Sequence, residues 1–153
     1  MTPARSAELV LVTPAGALRG RLPPVTIETP WWQDVEPVAR AIRARDGIEI
    51  TVLRLLEAEH DRPPGGRVTY LAETTDPVEL LPWSGDLDEQ PMRLAYARPG
   101  GPAADLAWAE SVVAGLGLER TAPAVQIRTW NLSSLSGSGA DPVAEGGAAL
   151  LGS

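Results

Sequence analysis

The stretch DVEPVARAIRARDGIEITVLRLL, Asp34 to Leu56, reads as a helix that stops at a glycine and a strand that begins beside it. Val35, Val38, Ala39 and Ile42 follow the i, i+3, i+4, i+7 spacing of one buried helix face. Two starts fit: Thr29 as cap with Pro30 in the first turn, or Asp34 as cap of a shorter helix, 34–46. Pro37 favours the shorter one, because a proline deep inside a helix removes a hydrogen bond. Gly47 is placed to end it. Arg40, Arg43 and Arg45 crowd the last turns, where they complement the helix dipole. Beyond the glycine, Ile48, Ile50 and Val52 alternate with Glu49 and Thr51. The alternation slips across Leu53 to Leu56, as a β-bulge makes it do.

Upstream, Glu8 to Thr13 contains Leu9-Val10-Leu11-Val12, apolar on both faces, which predicts a central strand. Pro14-Ala15-Gly16 is a turn, and Ala17 to Leu22 returns as a second strand that Pro23-Pro24 ends. Downstream, Pro63-Pro64-Gly65-Gly66 leads into a strand over Arg67 to Thr74, antiparallel to the one before it. Residues 76–100 are broken by prolines into an irregular loop that docks on the core. Pro102 opens a second helix, 102–116, with Leu106, Ala109, Val113 and Leu116 as its buried face. Gln126 to Ser134 adds one more strand. The expected organisation is a disordered start over 1–7, one α+β domain over 8–135 and a Gly/Ser/Ala-rich tail over 136–153. The expected fold is a mixed or antiparallel sheet flanked by two helices.

The 153 residues carry a net charge of −7, which argues against nucleic acid as a partner. No apolar run approaches the ~20 residues of a membrane span, and no stretch reads as a signal peptide, so the expected address is the cytoplasm. There is no cysteine and no lysine, and His60 is the one histidine. Thiolate nucleophiles, disulfides and cysteine zinc sites are excluded, and few groups remain for general-base work.

Helix, Gly47-Ile48 and strand together resemble the heart of the Nudix fold. Laid on this chain, the Nudix helix pattern puts its arginine at Arg40, an apolar position at Ile42, its glycine at Gly47 and its last apolar position at Ile48. Its three glutamates fall on Ala41, Ala44 and Arg45, so the magnesium site that the resemblance implies is lost. A second resemblance is carried by TPWWQ (Thr29 to Gln33), VTYLAE (Val68 to Glu73), ARPGGPAADLAWA (Ala97 to Ala109) and RTWNLSSL (Arg128 to Leu135). Over residues 8–135 the chain is similar to the amino-terminal region of an actinobacterial aminoglycoside-phosphotransferase-like family. There a degenerate Nudix-like domain precedes a kinase-fold domain. Only 18 residues follow Leu135, without the lysine that such a kinase needs.

The resemblance implies a non-catalytic accessory or regulatory domain, without a cofactor. It would pack on, or present ligand to, a kinase-fold phosphotransferase domain. Trp31, Trp32, Arg128 and Trp130 are the candidate partner or ligand surface, the adjacent tryptophans being able to split between core and solvent. A divergent Nudix-type magnesium-dependent hydrolase is the second possibility, with Glu57, Glu59 and Asp61, or the acids of 86–89, as metal ligands. A free-standing small-molecule binding protein is the third. Arg40 and Arg43 are candidate phosphate ligands, since guanidinium forks suit that geometry.

Overall fold

The structure, a computed structural model, describes residues 4–87 and 90–118. Its elements are β1 (Arg5–Val12), β2 (Leu18–Ile27), α1 (Glu36–Asp46), β3 (Thr51–Ala58), β4 (Gly66–Glu73) and α2 (Gly101–Gly115), with a 3₁₀ turn at Ala95–Ala97 before α2. The class is α+β. The four strands form one mixed sheet in the order β2-β1-β4-β3. β1 pairs antiparallel with β2, and β3 antiparallel with β4. The two hairpins join through a parallel β1–β4 seam, in register from Arg5 opposite Gly66 to Val12 opposite Glu73.

β1 is central because its apolar run serves both faces. Leu9 and Leu11 enter the larger core with Leu22, Val38, Ile42, Val68, Tyr70 and Ala72. Val10 and Val12 enter a smaller one on the opposite face with Leu53 and Leu71. Each such fully buried aliphatic side chain contributes about 1.5–3 kcal/mol of transfer free energy. α1 covers the larger core through Val38 and Ile42. It follows the shorter of the two expected starts: Val35 occupies the cap position and Pro37 the first turn. Asp34 makes no side-chain cap. Gly47 ends the helix at φ +70°, with its N–H on the Arg43 carbonyl, in the left-handed conformation that favours glycine.

Three expectations are corrected. The start is ordered from Arg5, because Arg5, Ser6 and Ala7 already pair with both neighbouring strands. Pro23-Pro24 does not end β2. Ala7 faces Val25 and Leu9 faces Leu22, so both prolines sit in a bulge opposite Glu8. On an edge strand their missing N–H groups cost the ladder little, and they blunt an edge that would otherwise invite pairing. Met92 and Leu94 lie exposed in the 76–100 loop, although Val78, Leu80, Trp83 and Leu87 do dock on the two cores. The loop is pinned by a two-bond bridge between Arg21 and Leu81, both at 2.9 Å. The slip in β3 is present as expected, as register shifts after Val52 and after Leu55. The expected strand at 126–134 and the tail lie outside the described residues.

A buried polar knot fixes one end of the sheet. Arg5 is 1% exposed. Its guanidinium donates to the Trp31 and Asp34 carbonyls and, at 2.8 Å, to the Tyr70 hydroxyl. That hydroxyl donates in turn to the Trp32 carbonyl at 2.7 Å. Burial pushes the Tyr70 phenol up to about 12, against the opposing pull of Arg5. An unfolded tyrosine ionises near 10. Above that pH the unfolded chain releases a proton that the folded chain keeps, so stability falls as pH rises. The expected loss is about 2–3 kcal/mol between pH 10 and 12. Urea titrations across this window are expected to give a flatter profile for Tyr70→Phe, and equal slopes would rule the linkage out.

Candidate interaction surface and cleft

α2 is built from residues that leave it no polar side. Leu106, Ala107, Trp108, Ala109, Val112 and Val113 run round the helix, so a helical spacing can be traced on several faces. This is why the expected face at Leu106, Ala109, Val113 and Leu116 is not buried. Pro102 is the only buried residue of α2, while Trp108 and Leu116 are each 70% exposed and Leu106 and Val112 are exposed too. The second face of the sheet is already occupied by Trp83 and Leu87, so α2 packs chiefly on the 3₁₀ turn.

Its root, in contrast, is held firmly. The Gly100 N–H donates to the buried Glu73 carboxylate at 2.6 Å, which places a negative charge at the helix N-terminus. The Gly101 N–H donates to the Arg98 carbonyl at 3.0 Å. Buried Arg54, on β3, donates to the Ala97 carbonyl at 2.9 Å and to the Leu87 carbonyl. A hydrogen-bonded base therefore carries a helix on which Leu106, Trp108 and Val112 are exposed, with Asp105, Glu110 and Ser111 spread among them.

Beside that base lies a half-open cleft of about 410 Å³, between the β1–β2 turn, the sheet and the loop before α2. Arg54, Arg93 and Arg98 line it together with Leu71, Leu87 and Pro99.

The residues singled out from sequence are scattered. Trp31 and Trp32 do split: Trp31 is 47% exposed and Trp32 only 7%. The Trp32 indole donates to the Gly65 carbonyl at 2.8 Å, which stitches the β2–α1 connection to the β3–β4 turn. Trp32 is therefore a core residue. Arg128 and Trp130 lie outside the described residues. Arg40 is paired with Glu36 at 3.1 Å and Arg43 with Glu49, so both guanidinium groups already face carboxylates. The Glu49 contacts hold the Arg43 guanidinium above its ordinary pKa. Glu57, Glu59 and Asp61 are exposed at the end of β3 and beyond it, and Glu59 accepts the Arg67 N–H at 2.9 Å. Among the described residues no three acids or histidines converge as a metal site. Of the acids in 86–89, Asp88 and Glu89 lie outside the described residues. No described helix is long and apolar enough to cross a membrane.

α2 was legible as a helix but not as an unpartnered one, and the cleft was missed. One signal for the cleft was available: Arg54 interrupts the apolar run Val52 to Leu56, as a buried charge with a task would. No known protein family, curated protein or solved structure matches this chain.

Proposed function

We propose that this chain is a non-catalytic accessory domain that docks on a partner domain through α2. The observation that carries the reading is a fifteen-residue helix with one buried residue and a run of exposed Leu, Trp and Val side chains. Contiguous apolar surface of this kind is a usual mark of a protein-binding site, and tryptophan is the side chain most enriched at binding hot spots. The resemblance of residues 8–135 to the front part of phosphotransferase-like proteins supports a kinase-fold domain as the partner.

The test is a titration of the full chain with a kinase-fold phosphotransferase domain of the resembling family, followed by calorimetry. A saturable complex with a dissociation constant of about 10 µM or tighter is expected. Trp108→Ala combined with Leu116→Ala is expected to weaken it at least ~tenfold, as loss of a hot-spot aromatic does. Both side chains are exposed, so the urea midpoint should stay where it is. No complex at about 100 µM of the kinase domain, or one indifferent to the double substitution, would sink the reading.

A further inference from the structure

We draw no further inference here: the strongest candidate, the apolar surface patch of exposed Met92 and Leu94 on the loop ahead of α2, carries nothing because nothing in the structure shows what covers it.

Discussion

Arg5→Ala is expected to destabilise the domain by about 3–5 kcal/mol, a large part of the 5–15 kcal/mol that a domain usually has. The guanidinium is a fully buried cation whose compensation comes from the Trp31 and Asp34 carbonyls and the Tyr70 hydroxyl. Burial lowers its pKa, and the Tyr70 and Asp34 side chains oppose that shift. Removing the side chain takes a donor from the part-buried Trp31 and Asp34 carbonyls and from the buried Tyr70 hydroxyl, at about 1–3 kcal/mol for a group left unsatisfied, and opens a void over the Tyr70 ring. The relief of desolvating one charge offsets part of this, which keeps the estimate below the simple sum. Arg5→Lys should recover less than half, because one ammonium cannot span acceptors that a planar fork reaches from two nitrogens. Equilibrium urea unfolding of the three chains decides the matter. A loss below about 1 kcal/mol for Arg5→Ala would mean that the knot is ornamental.

Gly101→Ala is expected to detach α2 while leaving the sheet folded. A Cβ built at Gly101 stands 1.9 Å from the Ala95 carbonyl oxygen and 2.7 Å from its carbon. Both are backbone atoms, so no side-chain rotation can make room. Either the 3₁₀ turn or the helix root must move, and the Gly100–Glu73 bond moves with it. The helix has little else to hold it, so the effect stays local. Hydrogen exchange of α2 amides should quicken by more than ~tenfold, while the β1 and β4 amides keep their protection. Gly115→Ala is the control. Nothing lies within 4 Å of its new Cβ, and the exchange of glycine for alanine should favour the helix by about 0.5–1 kcal/mol. A Gly101→Ala chain with unchanged α2 protection would show that the contact at the root is looser than it stands.

What could be read from sequence followed where one local signal had one physical meaning. Val38, Ile42 and Gly47 define α1 because a helix face and a left-handed stop are both local facts. Leu9 to Val12 define a central strand because only a strand with a core on each side is apolar on both. The slip after Val52 is visible because a bulge flips a two-residue period. The misses depended on partners distant in sequence. Pro23-Pro24 ends a strand unless the strand is an edge with a bulge there, which only the pairing with Ala7 and Leu9 reveals. Arg5 looked like part of a loose start because its acceptors at Trp31, Asp34 and Tyr70 lie 26 to 65 residues away. The arginine cleft was illegible as a cluster for the same reason. α2 failed differently: a helix without a polar side gives periodicity nothing to measure.

The parallel seam between β1 and β4 also sets an order of events during synthesis. Each hairpin can close early from its own neighbourhood in the chain. The seam cannot, because Arg5 meets Gly66 only after some sixty residues have been made. Long-range parallel pairing of this kind is slow, since the loop must be closed before any contact rewards it. Until then β1 shows a bare apolar edge with Leu9, Val10, Leu11 and Val12 on it. Nascent chains therefore pass through a sticky interval, and its length is governed by how quickly the second hairpin arrives.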